Sequence, residues 1–308
     1  MFKTEETYTY FQGKIVPFHE AKVSVMCHAF NYGTGFFGGI RGNWNEEEQQ
    51  LYIFRLEQHY KRLSSSSRLL LMKFHEKVSF EMFENVILDV VKKSNIKSDV
   101  YIRPLVYKSS DIVGVRLNDL EDDWTVYLAP LGDYVPLTGI RCCSSSWRRI
   151  SDNAISARGK ITGSYANSAF SKSEALMHGF DEAIVLDQNG FVVEGSAENL
   201  FIVREGTIIT PNFSSDILEG ITRKTILQLA QDHGIPIVER SIGRTEIYYA
   251  DELFLCGTGA KVCPVIEVDY RKIGDGTPGP IATRLQKLYF DTVKGKIPQY
   301  KNWLTPVY

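Results

Sequence analysis

Along the chain, apolar residues recur with two periods, and the switches between them mark out the elements. Tyr8–Phe11, Lys14–Pro17 and Val23–Met26 have the composition of short strands, and Gln12-Gly13 reads as a hairpin turn joining the first two. Leu51–Phe54 is a further strand. Leu56–Leu71 changes to steps of three and four (Leu56, His59 with Tyr60, Leu63, Ser67), which predicts a helix. Phe80–Lys93 predicts a second helix, with Phe83, Val86, Ile87, Val90 and Val91 along one side. Val100–Tyr107 returns to alternation. The polar Ser109–Asn118 stretch reads as a loop, and Trp124–Ala129 as another strand.

Pro130, Gly132 and Pro136 then cluster between two strand patterns. The expected organisation is a small N-terminal domain (1–128), an interdomain loop (129–139) and a larger C-terminal domain (140–308). Ile140–Ser144 predicts a strand. Tyr165–His178 predicts a helix with Ala166, Ala169, Phe170, Ser173 and Met177 on one face and Gly179 at its C-cap. Ala183–Leu186 and Phe191–Val193 flank Asn189-Gly190, and Asn199–Val203 and Thr207–Thr210 flank Glu205-Gly206, so two hairpins are expected. A helix opens within Leu218–Arg223, runs through Ile226, Leu229 and Ala230, and stops at His233-Gly234 before Pro236. Leu253–Cys256 is a strand and Ile281–Val293 a last helix. Hairpins and separate helices without an internal repeat indicate α+β rather than a doubly wound sheet.

Composition narrows the function classes. The chain has 308 residues, 44% hydrophobic and 23% charged, the proportions of a soluble globular protein. A net charge of −2 leaves no electrostatic footprint for nucleic acid or an anionic membrane. No apolar run approaches the roughly 20 residues that span a bilayer. The start, M-F-K-T-E-E-T-Y-T-Y-F, lacks the basic-then-apolar order of a signal peptide. Cys27, Cys142, Cys143, Cys256 and Cys263 are odd in number and lack C-x-x-C spacing, which reads as reduced, buried thiols in a cytoplasmic protein.

Several polar and glycine positions carry candidate chemistry. Arg103, inside V-Y-I-R-P-L-V-Y, is costly to bury unless a protein carboxylate or an anionic ligand meets it. The glycine-rich run from Asn31 to Gly42 has no G-x-G-x-x-G opening a helix. Its glycines and aromatics suit either a backbone bent closely around a ligand or a strand with bulges. In R-G-K-I-T-G-S-Y-A-N-S, Lys160 stands between Gly159 and the turn Ile161-Thr162-Gly163, and Glu194 follows about thirty residues later. Gly220-Ile221-Thr222 opens a helix, whose first N–H groups and positive dipole end suit a phosphate. Gly257-Thr258-Gly259 offers further N–H and hydroxyl donors. A lysine for a Schiff base, a carboxylate for a pyridine nitrogen and a double phosphate cradle together describe pyridoxal 5′-phosphate.

The stretches Y-G-T-G-F-F-G-G-I-R, H-Y-K-R-L, Y-I-R-P-L, K-I-T-G-S-Y-A-N-S, G-F-D-E-A-I-V-L-D, E-G-S-A-E-N-L-F, L-E-G-I-T-R and C-G-T-G-A cover nearly the whole chain. In this order they resemble the branched-chain amino acid aminotransferases, within the fold-type IV class of pyridoxal-phosphate enzymes. The resemblance implies the two-domain, D-amino acid aminotransferase-like α+β fold. It implies transfer of the amino group of L-leucine, L-isoleucine or L-valine to 2-oxoglutarate by a ping-pong route. Lys160 would be the Schiff-base lysine and proton shuttle, Glu194 the partner of the pyridine nitrogen and Tyr165 the donor to the phenolic oxygen. Arg62, Gly220, Ile221, Thr222, Gly257 and Thr258 would hold the cofactor, mainly its phosphate. Thr258, Gly259 and Ala260 would receive the substrate α-carboxylate. Tyr32, Phe37, Tyr101, Arg103 and Tyr134 would line the pocket, with Arg103 meeting the γ-carboxylate of glutamate. Val115 would enter from a neighbouring subunit, which makes a homodimer the smallest functional unit. No metal is implied.

One position departs from the family's pattern. Gly38 in Phe37-Gly38-Gly39-Ile40-Arg41 stands where a glutamate is usual, and the missing side chain is expected to loosen the pocket wall. D-amino acid or (R)-amine transaminase and aminodeoxychorismate lyase are the alternatives on the same scaffold, and a non-catalytic binding protein is the alternative from another class.

Overall fold

The computed structural model describes residues 2–131 and 138–308. In chain order the elements are β1 (Tyr8–Phe11), β2 (Lys14–Pro17), α1 (His28–Tyr32), β3 (Gly35–Phe37), β4 (Ile40–Asn45), β5 (Gln50–Phe54), α2 (Leu56–Leu69), α3 (Phe74–Lys77), α4 (Phe80–Lys93), β6 (Val100–Lys108) and β7 (Asp122–Ala129). Then come β8 (Ile140–Arg148), α5 (Tyr165–Met177), β9 (Glu182–Leu186), β10 (Phe191–Gly195), β11 (Asn199–Arg204), β12 (Thr207–Thr210), α6 (Ile221–Asp232), β13 (Ile237–Glu239) and β14 (Ile242–Gly243). The chain finishes with β15 (Glu252–Gly257), β16 (Lys261–Val268), β17 (Arg271–Lys272), α7 (Pro280–Val293) and β18 (Leu304–Pro306).

These elements form two compact units, and the fold class is α+β. The first unit is discontinuous in sequence: Met1–Gly132, Gly159–Gly163 and Thr292–Tyr308. It therefore differs from the expected 1–128 domain by two later segments. Much of the expected 129–139 connection lies outside the described residues.

The first unit is built on an antiparallel sheet in the order β18-β5-β4-β6-β7-β1-β2, with β3 on β6. Ser79 starts α4 where the sequence pattern begins, its hydroxyl accepting the Met82 N–H at 3.1 Å. Phe83, Ile87, Val90 and Val91 of that helix are fully buried. Phe83 stacks on Trp124 at 6.0 Å, and Phe74 meets the same ring edge-on at 5.7 Å. Each such side chain stabilises the unit by about 1.5–3 kcal/mol of burial. The expected strand at Val23–Met26 does not form. Val25 is 78% exposed, and Asn31 donates to the Val25 carbonyl at 2.8 Å as the chain turns into α1.

In the second unit the strands follow the order β13-β12-β11-β15-β16-β8-β9-β10-β14. An additional β10–β11 pairing, Glu194 opposite Asn199, closes six of them into a ring. Alternate residues of all six ring strands share one core: Ile140 and Cys142, Ile184 and Leu186, Val192, Leu200 and Ile202, Leu253 and Leu255, Cys263 and Val265. Cys143, Ala183 and Val185 form a separate buried cluster with Ala175 of α5 and Phe180. This corrects one reading of α5. Phe170 and Met177, on the expected apolar face, are 51% and 79% exposed, whereas Ser168, Ser171 and Ala175 face inward. Small residues let the helix approach the sheet closely, so its larger apolar side chains point away.

Candidate active site

Lys160 belongs to the segment Gly159–Gly163 that is part of the first unit. That segment is fastened to the glycine-rich run. The Lys160 carbonyl accepts the Phe37 N–H at 3.0 Å, Ile161 bridges Phe36, and the Gly163 N–H donates to the Gly33 carbonyl at 3.1 Å. The Thr162 hydroxyl donates to the same carbonyl at 2.6 Å and accepts the Gly35 N–H at 3.2 Å. Gly33 has φ +65°, and a Cβ there would lie 2.6 Å from Gly163 Cα. The glycines of this run thus admit a second backbone, a close approach that only a residue without Cβ permits.

Around this segment the first unit gathers several of the residues singled out in the sequence. The Lys160 Nζ lies 5.3 Å from the centre of the Phe37 ring. The Arg103 guanidinium lies over Phe37 at 4.2 Å and over Tyr101 at 5.0 Å, and its Nη2 donates to the Tyr101 hydroxyl at 2.9 Å. Among the described residues no carboxylate pairs with it; of the two expected partners the protein carboxylate is not the one found, and the aromatic faces and the Tyr101 hydroxyl hold the guanidinium instead. Tyr32 accepts the Gly114 N–H at 3.1 Å, which ties the 109–118 loop to α1, and Val115 on that loop is 86% exposed. Arg62 is half-buried on α2. One turn earlier stands His59, passed over in the sequence. It is 3% exposed, and its Nδ1 has no hydrogen-bond partner among the described residues. Burial first, then the charges of Arg62, Lys160 and Arg55, push its pKa well below the ordinary histidine value, so it stays neutral. The space that a side chain at Gly38 would enter is already filled: a Cβ would sit 2.8 Å from Pro104 Cγ and 3.5 Å from Leu63 Cδ1. The glycine therefore does not open the wall in the way the sequence suggested.

The second unit assembles an anionic centre beside a helix start. Glu194, 3% exposed, sits just past a bulge where Val192 to Glu194 on β10 faces Leu186 to Val185 on β9. Its Oε1 pairs with Arg149 Nη2 at 2.8 Å. Its Oε2 accepts the Asn199 amide at 2.8 Å and the Leu218 N–H at 3.3 Å. Arg149 follows a second irregularity, where Ser144 to Arg148 on β8 spans the rungs of Ile184 to Leu186 on β9. It was not found in the sequence, because an ion pair joining residues so far apart leaves no local pattern.

Close by in sequence, Gly220 is the N-cap of α6, and among the described residues no side chain caps that helix. A Cβ on Gly220 would lie 2.0 Å from Asn199 Oδ1, so only glycine fits against the amide that holds Glu194. The next residues, Ile221 and Thr222, are buried, and the first N–H groups of a helix have no partner within it. This is an anion-binding end next to a fixed carboxylate, and it fits a phosphorylated pyridine in both respects. Gly257–Ala260 forms the turn between β15 and β16, with Gly257 paired to Lys261 and Thr258 and Gly259 half-buried. Tyr165 is the first residue of α5. Tyr134 lies outside the described residues.

Among the described residues no helix is long and apolar enough to cross a membrane, and no cluster could hold a metal ion. All five cysteines are free and buried.

Comparison with known proteins agrees with this geometry. The family model for amino-transferase class IV matches residues 37–268. The chain is 48% identical over 303 residues to the probable branched-chain-amino-acid aminotransferase of Aquifex aeolicus, covering 98% of this chain and 97% of that one. Among solved structures, the branched-chain aminotransferase of Thermoproteus uzoniensis with norvaline superposes with a TM-score of 0.92 at 40% identity, over 98% of this chain and 99% of that chain. The Thermobaculum terrenum branched-chain amino acid aminotransferase in its PLP-form gives 0.94 at 37% identity, over 99% of this chain and 100% of that chain. With a fixed carboxylate, an uncapped helix start and a lysine clamped by glycines, the chain belongs to the class IV amino-transferase family.

Proposed function

We propose that this protein is a pyridoxal 5′-phosphate-dependent branched-chain-amino-acid aminotransferase, which moves the amino group of L-leucine, L-isoleucine or L-valine to 2-oxoglutarate. The observation that carries the reading is the buried Glu194, held by Arg149, Asn199 and the Leu218 N–H, next to the uncapped start of α6. The relatives bearing the branched-chain name, similar over nearly the full length, supply the substrate class. When bound, the cofactor supplies an electron sink that lets the α-carbon of an amino acid lose its proton.

The chain's own residues do the rest. Lys160 would hold the cofactor through Nζ and carry the proton to and from the α-carbon. Glu194 would pair, as a carboxylate, with the protonated ring nitrogen. Tyr165 donates to the phenolic oxygen. Arg62, Gly220, Ile221, Thr222, Gly257 and Thr258 hold the phosphate and fix the ring. Thr258, Gly259 and Ala260 take the substrate α-carboxylate, and Tyr32, Phe37, Tyr101, Arg103 and Tyr134 shape its side-chain pocket.

The exposed apolar side chains of Val23, Val25, Phe30, Val113 and Val115, on two segments joined by the His28 N–H to the Ser110 carbonyl, support a homodimer in which Val115 reaches a neighbouring copy. The protein is assigned to the cytoplasm.

A donor panel with 2-oxoglutarate tests the reading. Glutamate formation from L-leucine is expected to exceed that from D-alanine or (R)-1-phenylethylamine. Turnover of D-alanine without turnover of L-leucine would reassign the protein to another branch of the family.

A further inference from the structure

We propose that Arg149 is the positioning residue that keeps Glu194 ionised in the cofactor-free protein, so that a ring nitrogen arriving at this carboxylate takes its proton from solvent and not from Glu194. The inference rests on the reading that the chain holds pyridoxal 5′-phosphate, and goes beyond it in assigning where one proton resides.

Both partners are withdrawn from water: Glu194 is 3% and Arg149 8% exposed. A lone carboxyl at such a place takes up a proton, because burial penalises its charged form. Here a guanidinium, a group that stays charged in proteins, sits 2.8 Å from Oε1. The other oxygen is supplied with the Asn199 amide and the Leu218 N–H. Three donors that favour the anion are thus in place on the protein's own account.

The guanidinium is held by more than its partner. Its Nε donates to the Asp216 carbonyl at 3.3 Å, its main-chain N–H to the Leu186 carbonyl at 2.8 Å, and its own carbonyl accepts the Gln188 amide at 3.1 Å. A strand irregularity precedes each residue of the pair. Of the ionisable groups nearby, the Cys256 thiol on β15 feels the charge of Glu194. Burial raises its pKa, so it remains neutral and does not compete for the proton. Arg223, which acts on the same thiol, is directed to the Pro211 carbonyl and Glu239.

The test counts protons. Wild type, Arg149→Met and Arg149→Lys are titrated with pyridoxal 5′-phosphate by calorimetry, in mildly alkaline buffers of different ionisation enthalpy. In Arg149→Met, Glu194 already carries a proton, so binding should take up about one proton fewer than in wild type. Arg149→Lys, which keeps the charge, should restore most of the difference. Equal proton uptake by wild type and Arg149→Met overturns the proposal.

A second measurement does not depend on the Arg149 variants. In the infrared difference between cofactor-free wild type and Glu194→Gln, the lost band should be that of a carboxylate. Loss of a protonated carboxyl band overturns the proposal, whether or not Arg149→Met folds. Failure of the underlying reading looks different: wild type would then form no borohydride-reducible adduct at Lys160.

Discussion

The carbonyl of Lys160 accepts the N–H of Phe37 at 3.0 Å, so Lys160 is fixed through its main chain to the strand Gly35–Phe37. The hold is on main-chain atoms of both segments. Gly33 is what permits the clamp. Replacing it by alanine would place a Cβ 2.6 Å from Gly163 Cα, on a backbone with positive φ. Gly33→Ala is expected to lose about 2–4 kcal/mol of stability in urea unfolding. A change within about 0.5 kcal/mol would show that the two segments separate at little cost.

Because the clamp is made by main-chain groups, Lys160→Ala should leave the melting temperature close to that of wild type. Turnover should fall by ~10³-fold or more, since attachment and proton transfer are lost together. Borohydride reduction in the presence of pyridoxal 5′-phosphate should add mass to the Lys160 peptide in wild type and to no peptide in the variant. Near-normal turnover by Lys160→Ala would remove the lysine from the mechanism.

Glu194→Gln keeps the size of the side chain but leaves the Arg149 guanidinium facing an amide. Two separate losses are expected. Stability should drop by ~3 kcal/mol, the scale for breaking a buried pair from one side. Turnover should drop by ~10²-fold because an amide cannot hold the ring proton. Measuring unfolding of the cofactor-free protein alongside kcat separates the two; an unchanged kcat would exclude the electronic role.

Gly38→Glu restores the residue usual in the family, yet the structure argues against a gain. Pro104 Cγ and Leu63 Cδ1 occupy the entry of the new side chain. The variant is expected to lose about 1–3 kcal/mol of stability without sharpening the preference for L-leucine. A stable variant with a narrower donor range would mean that the side chain finds another path.

Away from the site, Glu246 accepts bonds from Arg240 and Arg204 at 2.6 and 3.0 Å. Hydrogen bonding to Arg240 is the largest cause holding its pKa down, at about 2 against an ordinary 4.5. A carboxylate with a depressed folded-state pKa stabilises the fold above its unfolded value and loses that contribution as pH falls through the folded one. Glu246→Gln should therefore flatten the fall in stability between about pH 4.5 and 2, by ~1 kcal/mol after screening by solvent. An unchanged slope in chemical unfolding over that window would show that the pair is inert.

Much of this architecture was legible in the chain. The stop of α6 at His233-Gly234, the extent of α4 and both hairpins of the second unit follow from local periodicity and turn chemistry, which tertiary contacts did not override. β16 was not legible: Pro264 argues against a central strand, yet here it sits opposite Phe254, and the parallel pairing of the strand with β8 begins one residue later at Val265. Val23–Met26 failed for the opposite reason, as residues of strand-like composition that the fold leaves exposed. Lys160 and Glu194 could be singled out because their motifs are contiguous. Arg149 and His59 could not, since what sets them apart is burial and a charged neighbour supplied by the fold.

The late segments of the first unit also bear on the order of its assembly. β18 pairs with β5, the Trp303 carbonyl accepts the Arg55 N–H at 2.7 Å, and the Trp303 ring lies 3.7 Å from the Arg55 guanidinium at the start of α2. The helix that bears His59 and Arg62 is therefore braced by residues translated long after it. During synthesis the N-terminal sheet must wait with an unfilled edge and an unbraced helix until residue 306 has left the ribosome. The unit made first is the one completed last.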